Sequence, residues 1–171
     1  ANYASVRNTL TAFVAALRPK GMGVVSALIA EKSSMVEKFL AVIPTFHEDL
    51  LYFRSRWSQG TCSWIFDEYP MKDWLEEGRS VTLIHFKMPP ASGKSVMCAH
   101  LIESFLSTGR PCNYFFFRAG DQHKRPVSFF LRTMALQLAI DIPAFQDNLT
   151  DLADCRSHLP ISSASDLFRT L

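Results

Sequence analysis

Apolar residues recur at spacings of three and four along most of this chain, and the exceptions are as informative as the rule. Val6, Leu10, Phe13, Val14 and Leu17 fall on one face of a predicted amphipathic helix over 4–17, which Pro19 and Gly21 end. Ser34-x-x-Glu37 ahead of Phe39-Leu40 and Thr45-x-x-Glu48 ahead of Leu50-Leu51 read as capping boxes that start two further helices. The front third is therefore expected to be helical. Beyond a break at 58–60, Pro70 suits the first turn of a helix that runs to Glu77 and stops at Gly78.

The pattern then changes. Ser80 to Phe86 is short, apolar and β-branched, which predicts a strand, and Val96, Ala99, Leu101, Ile102, Phe105 and Leu106 restore helical spacing over 92–107, closed by Gly109. Cys112 to Phe117 is apolar and aromatic without polar alternation, the expected signature of a strand covered on both faces. Phe129, Phe130, Met134, Leu138 and Ile140 then predict a helix over 125–140 that Pro143 stops, and shorter helical pieces follow at 147–153 and 165–171. The order strand, helix, strand, helix predicts an α/β fold, a three-layer P-loop NTPase core with a partial parallel sheet, preceded by an α-helical region. The division expected is a helical region over 1–58 and the front part of the nucleotide-binding domain over 59–171.

Between the first predicted strand and its helix lies Met88-Pro-Pro-Ala-Ser-Gly-Lys-Ser95. A phosphate loop works because backbone N–H groups of a tight turn converge on phosphate oxygens while the next helix aims its positive end at them. In this reading Ala91, Ser92, Gly93, Lys94, Ser95 and Val96 bind the nucleotide. Gly93 admits close backbone approach, Lys94 reaches the β and γ phosphates, and the Ser95 hydroxyl binds Mg²⁺. Met88 stands where such loops carry their first glycine, and Pro89 and Pro90 have no N–H to offer. A bare Gly-Lys-Ser or Gly-Lys-Thr triplet arises by chance in roughly one chain in ten of this length at average residue frequencies. The flanking elements, not the triplet, therefore carry the expectation.

Three segments in this order, Gly60-Thr-Cys-Ser-Trp-Ile65, the loop ending at Val96, and Leu131-Arg-Thr-Met-Ala-Leu-Gln-Leu138, resemble fungal NACHT-type proteins, which are STAND-class, NLR-like NTPases. The resemblance spans roughly 54–138 and leaves the helical front uncovered. It implies a signalling module that binds ATP or GTP with Mg²⁺, switches between closed and assembled states, and sits between an effector region and C-terminal repeats. Protein partners or self-assembly follow from the same resemblance. The acidic strand that holds Mg²⁺ in such enzymes is not legible before Leu171, so no catalytic residue is assigned. A small-molecule or nucleotide kinase and a degenerate, nucleotide-independent scaffold are the alternatives.

Composition narrows the classes further. With 171 residues, 48% hydrophobic and 20% charged, and a net charge of +2, the chain has the profile of a globular domain and not of a basic nucleic-acid binder. No apolar run approaches the roughly 20 residues of a membrane span, and residues 2–17 lack the pattern of a secretory leader. A cytoplasmic location is expected. Cys62, Cys98, Cys112 and Cys155 are too scattered for a zinc knuckle or a disulfide framework, and free thiols are expected. Lys124 and Arg125 read as a solvated turn, Trp57, Trp64 and Trp74 as core, and His85 as a packed residue near the loop.

Overall fold

The computed structural model describes residues 22–42, 45–75 and 83–155, and for 22–29 the backbone only. Among these residues six α-helices follow one another: α1 Met22–Leu40, α2 Phe46–Arg54, α3 Tyr69–Leu75, α4 Lys94–Ser107, α5 Val127–Asp141 and α6 Pro143–Cys155, with a 3₁₀ turn at Ser63–Phe66. The helices expected at 4–17 and 165–171 lie outside the described residues.

No strand forms among the described residues, and this overturns the expected α/β architecture. Residues 83–89 and 111–118 form neither helix nor strand among the described residues. Each uses the two-residue period of an extended chain to face two ways at once. Ile84, Phe86 and Met88 turn inward while Leu83, His85 and Lys87 are exposed. Tyr114 and Phe116 are buried, whereas Phe115 and Phe117 turn towards Phe129 and Phe130 at the start of α5. The backbone of the second segment is satisfied by a side chain: Tyr114 N–H donates to Gln137 Oε1 at 3.0 Å, and Gln137 Nε2 donates to the Tyr114 carbonyl at 2.9 Å. One amide thus supplies both a donor and an acceptor to the Tyr114 backbone.

The main core joins α1, α2, α4, α5 and α6. Val36, Phe39 and Leu40 of α1 meet Phe46 and Leu50 of α2, Ala99 and Ile102 of α4, Ala135, Leu136 and Ala139 of α5, and Leu149 of α6. Apolar burial across this set supplies most of the driving force for folding. It also unites residues before and after position 58 in one core. A second cluster gathers Ile65, Met71, Met97 and Leu101, with Ile84, Phe86 and Met88 packed on it.

Helix boundaries show which local signals prevailed. Ser34 does not start a helix, because α1 runs through it and is held by its packed residues Val36, Phe39 and Leu40. Thr45 is the N-cap of α2, although its side chain makes no capping bond. Gly109 closes α4 as expected: it adopts φ +75°, its N–H donates to Leu106 O, and Arg110 N–H donates to Phe105 O, the Schellman arrangement. Pro143 begins α6 instead of merely ending α5, since proline is favoured at a first helical position.

Candidate functional site

The turn between the first extended segment and α4 is built from two left-handed residues. Ala91 has φ +60° and Gly93 has φ +84°, and Gly93 is the N-cap of α4. Met88 anchors the incoming chain by packing on the second cluster. Met97 N–H makes the first helical bond, to Gly93 O at 2.9 Å. No side chain caps α4. The N–H groups of Lys94, Ser95 and Val96 are therefore the orphan donors of a helix start, and the positive end of the helix dipole lies with them.

Accessibility follows from the loop's position. Ala91, Ser92 and Gly93 are exposed, and Lys94, Ser95 and Val96 are half-buried. Lys94 folds back across the turn, its Nζ donating to Met88 O at 2.9 Å and to Pro89 O at 2.5 Å. The carbonyls of the Met88-Pro89 segment thus hold the ammonium over the loop, whereas the prolines contribute no donor. One cation, a set of free amides and the Ser95 hydroxyl share one accessible turn. That donor set suits an oxyanion such as a polyphosphate, with Ser95 as the side chain available to an accompanying Mg²⁺. No cluster of three metal-ligating His, Cys, Asp or Glu side chains is formed among the described residues. No sheet adjoins the turn among the described residues, where loop and helix shape the site.

The remaining singled-out residues are placed elsewhere. Lys124 is not a solvated turn residue: it is 8% exposed and pairs with Asp49, which is 4% exposed and also meets Arg118 at 2.8 Å. Arg125 instead donates to Ala119 O. Asp49 was hidden in plain view, since Phe46, Asp49, Leu50 and Phe53 lie on one helical face, so this carboxylate is carried into the core by its apolar neighbours. Trp57 stacks on His100 with ring centroids 4.9 Å apart and planes 8° from parallel. Trp64 and Trp74 are substantially exposed, against the expectation that they are core, and His85 is exposed as well. The four cysteines are free thiols, and burial pushes Cys98 and Cys112 above the ordinary thiol range.

A shallow depression lined by Phe46, His47, Tyr114, Gln137 and Asp141 lies away from the turn. Within it His47 Nδ1 and the Tyr114 hydroxyl are 2.8 Å apart. Among the described residues no helix is long and apolar enough to cross a membrane.

Comparison with known proteins adds one finding. Residues 60–171, about two thirds of the chain, match the family described as Nephrocystin 3, N-terminal, which is a different family from the NACHT type that the sequence motifs resemble. No curated protein and no solved structure matches the chain.

Proposed function

The chain belongs to the nephrocystin 3 N-terminal family, and from that premise we propose that it binds ATP or GTP through the turn formed by Ala91, Ser92, Gly93, Lys94, Ser95 and Val96, as a regulatory module of the kind found in NACHT-type signalling proteins. The supporting observation is the uncapped, accessible start of α4 behind a left-handed glycine, with a lysine ammonium held over it. Free amides and a helix dipole bind an anion through fixed geometry and need no acid–base chemistry. Lys94 leaves its two carbonyls to meet the β and γ phosphates, and Ser95 offers its hydroxyl to Mg²⁺. The proposal includes a cytoplasmic setting, where such nucleotides are plentiful, and regulated contact with protein partners or other copies of the chain.

Thermal melting with and without Mg-ATP or Mg-GTP tests it. A ligand at 100 times its dissociation constant stabilises by about 2.7 kcal/mol, and Lys94→Ala abolishes that gain. Ser95→Ala removes its dependence on Mg²⁺. Absence of any shift at millimolar nucleotide sinks the proposal and favours a nucleotide-independent interaction scaffold. One observation supports that second reading: Pro89 and Pro90 lack N–H groups, and the lysine is already engaged by loop carbonyls.

A further inference from the structure

Arg132 belongs to the Leu-Arg-x-x-x-x-Gln-Leu segment but has no part in the turn. It is 7% exposed, and its Nε and Nη2 have no hydrogen-bond partner. These two nitrogens form the side edge of the guanidinium, which accepts a carboxylate or phosphate in a two-point contact. Only Nη1 has a partner, the carbonyl of Leu40 at a long 3.5 Å. Burial holds the Arg132 pKa below its ordinary value.

Leu40 is the last residue of α1, and the chain turns there under strain. Ala41 sits at φ +49°, with its N–H on Lys38 O and Val42 N–H on Glu37 O. This is a Schellman closure with alanine where glycine belongs. The same junction therefore carries a stranded guanidinium edge and a strained cap. What opposes them is apolar burial of Val36, Phe39, Leu40 and Val42, helped by the exposed tie Lys32–Asp147 and the part-buried tie Gln146–Ser33.

We propose that Arg132 is an oxyanion-binding group masked by the C-terminal end of α1. When residues 39–42 lift from α5, the free edge takes a carboxylate or a phosphate, and the bound anion holds the helix away. Arranged so, α1 is a releasable cover over an anion site and responds to an acidic or phosphorylated ligand. The inference is independent of nucleotide binding at the Lys94 turn.

Hydrogen exchange of the α1 amides at residues 35–40 tests it, in the full chain carrying Lys94→Ala so that the turn contributes nothing. Inorganic phosphate and acetate are each compared with chloride at matched ionic strength. The expected result is faster exchange of α1 in phosphate, in acetate or in both, and the more effective anion identifies the ligand class. An additional Arg132→Met change is expected to slow that exchange by about tenfold in chloride, because a buried unpaired charge is replaced by an apolar chain of similar length, and to remove the response to either anion. Exclusion of phosphate from protein surfaces acts in the opposite direction, tightening burial and slowing exchange. An anion response that persists in Arg132→Met overturns the proposal, as does its absence from the parent chain. Failure of Arg132→Met to fold, or faster α1 exchange in it, makes Arg132 a structural cap and also overturns it.

Discussion

Gln137 and Tyr114 are joined by two hydrogen bonds in opposite directions, side-chain carbonyl to backbone N–H and side-chain amide to backbone carbonyl, at 3.0 and 2.9 Å. This pairing satisfies backbone groups of a buried segment from a helix side chain. Buried backbone groups must be satisfied, and α5 does so with one side chain 4% exposed. Gln137 also reaches Thr133 O at 3.4 Å, which steadies the amide in that orientation.

Gln137→Leu keeps the approximate volume and removes both hydrogen bonds to the Tyr114 backbone. The expected cost is about 1–3 kcal/mol in urea unfolding, from two buried hydrogen bonds at about 0.5–1.5 each. Gln137→Glu retains the acceptor and removes the donor, so at neutral pH it introduces a charge facing the Tyr114 carbonyl and also destabilises. A cost under about 1 kcal/mol for Gln137→Leu is incompatible with this role for the pair.

Asp49 ties α2 to the segment before α5 through Lys124 and Arg118. Asp49→Ala leaves a buried ammonium without its partner, and the expected loss is about 3–5 kcal/mol. Lys124→Met is milder, because Asp49 keeps Arg118. A double-mutant cycle over Asp49 and Lys124, read by denaturant midpoint, should return a clear coupling energy. Simple additivity argues against a direct contribution from the pair.

Gly93→Ala separates backbone strain from packing. A Cβ at Gly93 meets nothing within 4 Å, yet φ is +84°. The expected destabilisation of about 1–2 kcal/mol thus comes from the left-handed conformation alone. Gly120 also has open space, and no left-handed φ constrains it. Gly120→Ala is expected to be nearly neutral, and equal losses at the two positions contradict the assignment of strain to Gly93.

The raised thiols of Cys98 and Cys112 set a direction with pH. The folded state keeps its thiol protons where the unfolded chain has released them. Stability therefore falls as pH rises through and above the ordinary thiol range. Replacing both by Ala or Val should flatten that alkaline decline. Iodoacetamide should label the exposed Cys155 first, with the half-buried Cys98 and Cys112 reacting more slowly. Early labelling of Cys98 would contradict its burial.

Much of the chain's local organisation was legible from residue order. The bounds of α4, its glycine closure, the proline-led start of α3 and the position of the turn at Gly93-Lys94 follow from contacts within a few residues, and local preference decides those. The apolar periodicity of α2 likewise contained the clue to buried Asp49, although charge alone suggested solvent.

Pairing was decided only in three dimensions. Ser80–Phe86 and Cys112–Phe117 have the apolar, β-branched or aromatic content of strands, but a strand exists only when distant backbone supplies its hydrogen bonds. In the second segment a glutamine on α5 occupies that role, and no sheet forms among the described residues. The Ser34 capping signal was overruled in the same way, because burial of Val36, Phe39 and Leu40 outweighs the preference of one serine. Residue order determines which backbone conformations are cheap. The identity of the groups that meet across the core, including the unpaired edge of Arg132, depends on packing between segments some 90 residues apart, since Leu40 and Arg132 are separated by 92 positions.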